Sequence, residues 1–377
     1  MPFHHAGGVG AYCAPAGLTS SRESSPIRPA ALRHGGRGRA PMRQERLYLA
    51  NVHEFLKIFC ITSFQHPHRP TTIKTMDIFA SLHSLELPLV AQIQQALGPL
   101  FRLPMTAISL LGSEAFIIAV VPILFWCIDR RKGAELGLLI LGSAFINLWL
   151  KSLFAAPRPF NLDPSLGLAF EGTFGMPSGH SQLSLIFWVY VAGFLPTAIR
   201  LPAVILIPLL VGFSRIYLGV HFPSDVLGGY LAGGIILLLY RLLYSPLAKA
   251  IKTWDFRMRI VLAFAAAFVM NLLLPGDTSV SGAFLGSAVG FAFCDRDFPF
   301  SVDDPRRVRF IRYLLGLAGT AALYVVLKYA DTALNAATGA SQARLVRFIR
   351  YALVGGWASL GAPVMFLKLG LAKKEGA

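Results

Sequence analysis

Long uninterrupted runs of apolar residues constrain the fold of this chain more than any other feature of its sequence. Each run is about 16 to 22 residues long, which is enough for an α-helix to cross the hydrocarbon core of a bilayer. Hydrophobic residues make up 55% of the chain and charged residues only 14%, whereas soluble proteins usually carry about a quarter charged residues. The runs alternate too little between polar and apolar residues for membrane β-strands. The sequence therefore predicts an all-α, polytopic membrane helical bundle.

Nine of these runs are predicted to be transmembrane helices, and a further helix precedes them. The preceding segment, residues 76–101, has apolar residues at mixed three- and four-residue spacing with polar interruptions. This pattern is typical of a helix that lies at the membrane interface. The nine predicted spans cover residues 105–128, 134–153, 180–198, 200–218, 225–244, 257–275, 280–294, 310–328 and 346–369.

Composition divides the chain into three regions. Residues 1–75 are rich in Arg, Gly, Pro and Ser, so we expect a disordered basic extension that is dispensable, with the functional protein beginning at Met76. Residues 76–245 hold the interfacial helix, five spans and most of the polar residues discussed below. Residues 246–377 are predicted to form a C-terminal membrane region with about four spans.

The formal charge of +16 does not indicate a nucleic-acid-binding protein. Much of the excess lies in the first 75 residues and in short loops between spans, where Lys and Arg set membrane topology. Basic loops at 129–133, 244–259 and 295–312 fall on one side of the predicted bundle, which the positive-inside rule makes cytoplasmic. The exception is a set of three arginines before the ninth span, Arg344, Arg347 and Arg350.

The cysteines do not indicate a disulfide framework or a metal site. The chain contains Cys13, Cys60, Cys127 and Cys294, and no CxxC pair occurs. In the predicted topology Cys127 and Cys294 face the reducing cytoplasm, so we expect free thiols. The nine-span body also lacks a cluster of carboxylates of the kind that holds magnesium. No metal or other cofactor is therefore predicted.

A set of polar residues and one glycine on the predicted extracytoplasmic side are the candidates for a functional site. Ionisable residues at the ends of membrane helices are costly, and by default they mark function. The set lies on three segments, and it includes both histidines of the nine-span body. Its members are Lys151, Arg158, Ser178, Gly179, His180, Arg215, His221 and Asp225.

The three cations of this set, Lys151, Arg158 and Arg215, suit a dianionic phosphate. A guanidinium offers a planar fork that matches phosphate oxygens, and a lysine acts as a point charge. Ser178 and Gly179 fall where the third span begins, and the free N–H groups of a helix N-terminus also bind anions. The sequence thus predicts a phosphate-binding site.

The two imidazoles can divide the work of nucleophile and general acid. Asp225 follows His221 by four residues, within hydrogen-bonding reach in a turn or first helical turn. A carboxylate there would fix the imidazole tautomer and stabilise the cation formed on attack. His180 has no such neighbour in sequence, so we assign His221 as the nucleophile and His180 as the acid.

Each of these residues alone has an ordinary structural explanation. Lysine and arginine at span ends often anchor a helix at the interface, and Pro and Gly there are common punctuation. Three segments on one face, each with a cation or an imidazole, are hard to ascribe to anchoring. Glu114, inside the first span, is a separate case: it either pairs with Lys151 or faces a polar interhelical cavity.

Three motifs in this set resemble the signatures of the type 2 phosphatidic acid phosphatase and vanadium haloperoxidase superfamily. They are "KSLFAAPRP" from Lys151 to Pro159, "PSGH" from Pro177 to His180, and "SRIYLGVHFPSD" from Ser214 to Asp225. All three are intact and in order. The resemblance covers about residues 76–245, which would then be the catalytic core.

The resemblance implies a membrane-bound phosphatase that needs no metal. Lys151, Arg158 and Arg215, with Ser178 and the Gly179 amide, would hold the phosphate. His221, oriented by Asp225, would form a phosphohistidine, and His180 would protonate the leaving oxygen and then activate water.

A site at a membrane face favours a lipid phosphate or diphosphate as substrate, of polyprenyl diphosphate or phosphatidate type. The short basic loops suggest a bacterial inner membrane, with the site on the extracytoplasmic face. The alternatives are a phosphatase of a small soluble ester and a non-enzymatic lipid transporter or binding protein. No oligomeric state is predicted.

Overall fold

A computed structural model of the chain describes residues 79–338 and 343–375. The expected basic extension and Met76 lie outside these ranges. The regular structure within them is helical apart from one antiparallel bridge between Phe300 and Lys374, so the all-α prediction is confirmed. The helices are α1 (Ala80–Leu97), α2 (Arg102–Leu110), α3 (Glu114–Ile123), α4 (Arg130–Phe154), α5 (Gly179–Val191), α6 (Thr197–Tyr217), α7 (Pro223–Thr253), α8 (Phe256–Leu273), α9 (Ser279–Asp297), α10 (Arg306–Thr338), α11 (Ala343–Gly356) and α12 (Ala362–Lys368).

Helices occur at all nine predicted span positions, but they differ in length and continuity. In the part of the chain that the structure describes, five helices are long and apolar enough to cross a membrane. A sixth span results if α2 and the helix that follows it, bent by 43°, form one broken span. The membrane character of the bundle is thus confirmed, whereas the number of nine crossings stays a prediction.

The first predicted span is broken because its middle carries residues that end one helix and begin another. The Leu111 N–H bonds back to the carbonyl of Ile108, and the Ser113 hydroxyl accepts the N–H of Phe116 at 3.2 Å as the N-cap of α3. Such a cap satisfies one of the free N–H groups of a new helix. The break therefore places the start of α3, including Glu114, close to the end of the bundle where α5 begins.

The loops predicted to be cytoplasmic meet at one end of the bundle. Arg130, at the start of α4, donates to Asp295 at 3.0 Å and to Glu375 at 2.7 Å. The fully buried Arg312 donates to the carbonyl of Trp126 and forms an ion pair with Asp304. Cys127 and Cys294, both at this end, are buried free thiols, as predicted.

The C-terminal region is tightly joined by a stripe of glycines. A Cβ at Gly282 would collide with the backbone of Phe348, and one at Gly286 would collide with the backbone of Ala352. These contacts lie between α9 and α11, so the glycines allow the two helix backbones to approach closely. The stripe therefore serves helix packing.

Helix α1 packs over the loops at the other end of the bundle. The Gln94 amide donates to the carbonyls of Leu166 at 2.9 Å and Tyr217 at 2.8 Å. The Glu86 carboxylate accepts the N–H and the hydroxyl of Ser224, at the start of α7. The helix predicted at 76–101 is thus present as α1, over Ala80–Leu97. Its contacts fix the backbone that carries His221 and Asp225.

Candidate active site

Residues from several helix ends meet at the end of the bundle that α1 covers. The contributing positions are the last turn of α4 and the connection after it, the first turn of α5, the last turn of α6, and the start of α7. The predicted site residues all lie at these positions: Lys151, Arg158, Ser178, Gly179, His180, Arg215, His221 and Asp225.

His221 and Asp225 form a buried pair at the start of α7. The His221 Nδ1 lies 3.2 Å from the Asp225 Oδ2, and the same oxygen accepts the N–H of Phe222 at 3.0 Å. His221 is 1% exposed and Asp225 is fully buried. The carboxylate thereby holds the imidazole and caps α7 with one oxygen, while its Oδ1 has no hydrogen-bond partner among the described residues.

Arg158 is held by carbonyls and points at the other ring nitrogen of His221. Its Nη1 lies 3.1 Å from the His221 Nε2 and donates to the carbonyl of Val220 at 2.8 Å. Its Nε and Nη2 donate to Thr173 and to the carbonyl of Phe174. Since a guanidinium only donates, His221 Nε2 carries the lone pair and Nδ1 carries the proton.

Lys151 is held by the connection between α4 and α5. Its Nζ donates to the carbonyls of Phe174 at 2.6 Å and Gly175 at 2.9 Å, and its side chain is 5% exposed. The pair expected as one alternative between Lys151 and Glu114 does not form. Glu114 Oε2 is buried without a hydrogen-bond partner among the described residues.

The ion-pair partner of Arg215, Glu171, is a site residue that the sequence did not predict. The Arg215 Nη1 donates to the hydroxyl of Ser109 at 2.7 Å, and its Nη2 forms an ion pair with Glu171. Its Nε is buried without a partner in the described part of the chain. Glu171 lies in the long connection between α4 and α5, outside all three motifs. Its one link to the site in sequence is its position nine residues before His180.

The start of α5 completes the site. The Ser178 hydroxyl accepts the Ser181 N–H at 3.4 Å, and the Ser178 N–H donates to the carbonyl of Asp225 at 2.9 Å. A Cβ on Gly179 would stand 3.0 Å from the amide oxygen of Asn147, which leaves little room for a side chain. His180 follows, and it is close enough to Arg215, Arg158 and Lys151 to interact with them electrostatically.

The charges of the site shift the two titratable groups that its loops carry. Burial raises the pKa of Glu171, but the charges of Arg215 and Arg158 outweigh it and lower that pKa to about 2. Burial, and next the charges of Arg158 and Lys151, hold the pKa of His221 well below its usual range. At neutral pH Glu171 is therefore ionised and His221 is a neutral imidazole with a lone pair.

Comparison with known proteins shows the family of the chain. Residues 132–249 match the PAP2 superfamily, and residues 278–374 match the PAP2 superfamily phosphatase transmembrane extension. Phosphatidylglycerophosphatase B of Bacillus subtilis is 32% identical over 150 residues, which cover 36% of this chain and 72% of that protein. The chain belongs to the PAP2 superfamily. The resemblance carried by the three motifs is thus confirmed, and the extension gives the C-terminal region a place in the same family.

Other PAP2 relatives are phosphatases of several lipids. The probable sphingosine-1-phosphate phosphatase of Dictyostelium discoideum is 30% identical over 229 residues, which cover 54% of this chain and 56% of that protein. The chain thus spans little more than half the length of this relative. Among solved structures, LpxE of Aquifex aeolicus is 29% identical, with a TM-score of 0.37, and the match covers 41% of this chain and 93% of LpxE.

Proposed function

We propose that this PAP2 protein is an integral membrane phosphatase that hydrolyses a lipid phosphate or diphosphate through a phosphohistidine. The observation that carries the proposal is the line of contacts from Asp225 through the His221 ring to Arg158. It gives one neutral imidazole a fixed tautomer, a lone pair on Nε2, and a guanidinium at the place where a phosphate would be attacked. These are the requirements of a histidine nucleophile.

Phosphate binding would use the cations that hydrogen bonds within the protein hold in place. Arg158 and Lys151 are fixed by backbone carbonyls, so their charges cost no reorganisation when a phosphate enters. The Arg215 Nε has no hydrogen-bond partner among the described residues, and the N–H groups at the start of α5 add a positive helix end. Positioning and charge stabilisation of this kind supply most of phosphoryl-transfer catalysis.

The chemistry would take two steps. In the first, His221 Nε2 attacks phosphorus, the bond from phosphorus to the leaving oxygen breaks, and His180 gives that oxygen a proton. In the second, His180 takes a proton from water, the water oxygen attacks phosphorus, and the phosphorus–nitrogen bond breaks to release phosphate. Asp225 stabilises the positive imidazole ring of the intermediate. No step needs a metal ion, since the three cations carry the phosphate charge.

The substrate class follows from the setting of the site. The curated relatives are named for sphingosine-1-phosphate and phosphatidylglycerophosphate phosphatases and an undecaprenyl-diphosphatase, so a lipid phosphate or diphosphate is proposed here. By the positive-inside rule the site faces the extracytoplasmic side, and the short loops favour a bacterial inner membrane.

The experiment that tests the proposal is a substrate panel on purified protein in detergent, with His221→Ala as the control. We expect hydrolysis of a lipid phosphate that persists in EDTA and is blocked by vanadate, and an acid-labile phosphoryl group on the protein in a rapid quench. His221→Ala should abolish both turnover and labelling. Substantial residual activity in His221→Ala, or faster turnover of a soluble sugar phosphate than of any lipid, would contradict the proposal.

A further inference from the structure

A crevice of about 180 Å³ lies between the catalytic core and the C-terminal region. One wall is made by the helical segment from Glu114 to Ile128 and by α4, and the other by α9, α10 and α11. The tight packing of α9 on α11 makes the second wall rigid. The crevice is therefore a feature that the transmembrane extension adds to the core.

The crevice runs along the helices rather than across them. Its lining extends on the first wall from Ile117 to Trp126, and on α9 from Ala283 to Phe291. At a rise of about 1.5 Å per residue, the two stretches are about 12 to 14 Å long. The shape is thus a slot parallel to the bundle axis, as an extended hydrocarbon chain requires.

Among the described residues, the lining is apolar and carries no charged side chain. Its polar side-chain groups are four hydroxyls, on Ser287, Thr320, Tyr324 and Tyr351, and the indole N–H of Trp126, which donates to the carbonyl of Ala358 at 2.9 Å. The Thr320 hydroxyl already donates to the carbonyl of Gly316 at 2.8 Å. A stable water needs two to four polar partners, so the slot suits hydrocarbon better than water.

One end of the crevice lies close to the active site. Glu114 stands one helical turn before Ile117 and Ile118, and it is near enough to Lys151 and Glu171 to interact with them electrostatically. Just before it, a Cβ on Gly112 would lie 2.9 Å from the backbone carbonyl oxygen of His180. Glu114, whose Oε2 is buried and unpartnered among the described residues, therefore lies between the catalytic end and the slot.

We propose that this crevice binds the hydrocarbon tail of the lipid phosphate whose phosphate is attacked at His221. The inference rests on the proposed function, and it identifies the part of the protein that selects the length of the substrate's hydrocarbon chain. The tail lies between core and extension, and the polar group that joins tail to phosphate passes Glu114. The extension thus selects for a long chain, and a substrate without one loses this contribution.

The test replaces a glycine of the slot lining by leucine, so that the new side chain occupies part of the slot. A Cβ on Gly137, in α4, would lie 3.6 Å or more from its nearest neighbours on Phe291 and Val121, whereas one on Gly142 would have nothing within 4 Å. Gly137→Leu therefore places a side chain in the slot, and Gly142→Leu makes the same change on the same helix outside it. Displacing about two methylenes at about 0.8 kcal/mol each lowers affinity about tenfold.

The assay compares a long-chain and a short-chain lipid phosphate with the same headgroup. Gly137→Leu should lower kcat/KM about tenfold for the long chain and leave the short chain unchanged, while Gly142→Leu should leave both unchanged. If Gly137→Leu misfolds, Ala321→Phe in the lining and Ala322→Phe beside it, which is exposed, form a second matched pair. Equal losses for both substrates, or no loss for the long chain, would overturn the inference.

A binding measurement separates this inference from the proposed function. In the His221→Ala background, the long-chain lipid phosphate should raise the melting temperature, and adding Gly137→Leu should reduce that shift. Hydrolysis by the unaltered protein with no effect of Gly137→Leu would refute the tail site alone. Tail-dependent binding without any hydrolysis would refute the phosphatase alone. Protection by a bilayer phospholipid as strong as that by the lipid phosphate would show a structural lipid instead of a substrate tail.

Discussion

Replacing Asp225 by asparagine separates the charge of this residue from its geometry. In the structure, Oδ2 alone accepts both the His221 Nδ1–H and the Phe222 N–H, while Oδ1 has no partner among the described residues. An asparagine with its oxygen at the Oδ2 position keeps both hydrogen bonds and puts its NH₂ where no bond existed. The tautomer of His221 and the cap of α7 should therefore survive the change, and only the negative charge is lost.

The expected cost follows from the charge that develops on the His221 ring. Attack on phosphorus makes the ring positive; its Nδ1 lies 3.2 Å from the Asp225 Oδ2, and the charge spread over the ring is roughly 4 Å from the carboxylate. At that distance and an effective dielectric constant of about 20, two unit charges interact by about 4 kcal/mol. Because the ring is only partly charged in the transition state, we expect about half to three quarters of this. Asp225→Asn should thus lower kcat by about 30- to 150-fold, at about 1.4 kcal/mol per factor of ten.

The assay is single-turnover formation of the phosphohistidine by rapid quench, together with steady-state kcat and the melting temperature. A melting temperature within a few degrees of the unaltered protein would show that the cap is intact. Asp225→Ala is the control, because it removes both hydrogen bonds and should lower stability as well as rate. A loss below about fivefold in the rate of labelling by Asp225→Asn would refute the electrostatic role of this carboxylate.

Two further substitutions test the cations. Arg158→Lys keeps the positive charge, but a lysine cannot reach all the partners of the guanidinium, which are Thr173, Phe174, Val220 and His221. We therefore expect kcat/KM to fall about 10²-fold and the melting temperature to drop, because buried carbonyls lose their donor. Unchanged kinetics would show that the charge alone suffices. Glu171→Gln removes the carboxylate that competes with phosphate for Arg215. We therefore expect KM and the vanadate inhibition constant to fall about tenfold at constant kcat. A rise in KM would mean that Glu171 positions Arg215 instead.

Much of the site could be predicted from sequence because its chemistry lies in short motifs at helix ends. The spacing of His221 and Asp225 predicted their contact, since four residues at the start of a helix bring two side chains together. Runs of apolar residues predicted where helices occur, because burial in a bilayer demands them. Both inferences use only local spacing, which the sequence contains in full.

The features that the sequence did not predict depend on contacts between distant segments. Glu171 reaches Arg215 through the folding of a long connection that has no periodic pattern. Lys151 donates to carbonyls of that connection and does not pair with Glu114. Every residue has a backbone carbonyl, so residue type does not indicate which carbonyls will accept a hydrogen bond. The break between α2 and α3 is another case, because its apolar residues continue the span pattern while Gly112 and Ser113 end the helix.

The placement of Glu171 explains how the protein holds three buried cations close together. Three buried cations within one pocket repel each other, and without an anion they would be unstable. Carbonyls of the α4–α5 connection screen Lys151 and Arg158, and the Glu171 carboxylate neutralises Arg215. That connection therefore supplies most of the groups that hold the three cations, and the Val220 carbonyl on Arg158 and the Ser109 hydroxyl on Arg215 supply the rest. Under the proposed function, a phosphate that enters would replace the carboxylate and leave the carbonyls undisturbed, so Lys151 and Arg158 would stay fixed while Arg215 exchanges one anion for another. The site can thus be both stable without substrate and preorganised for it.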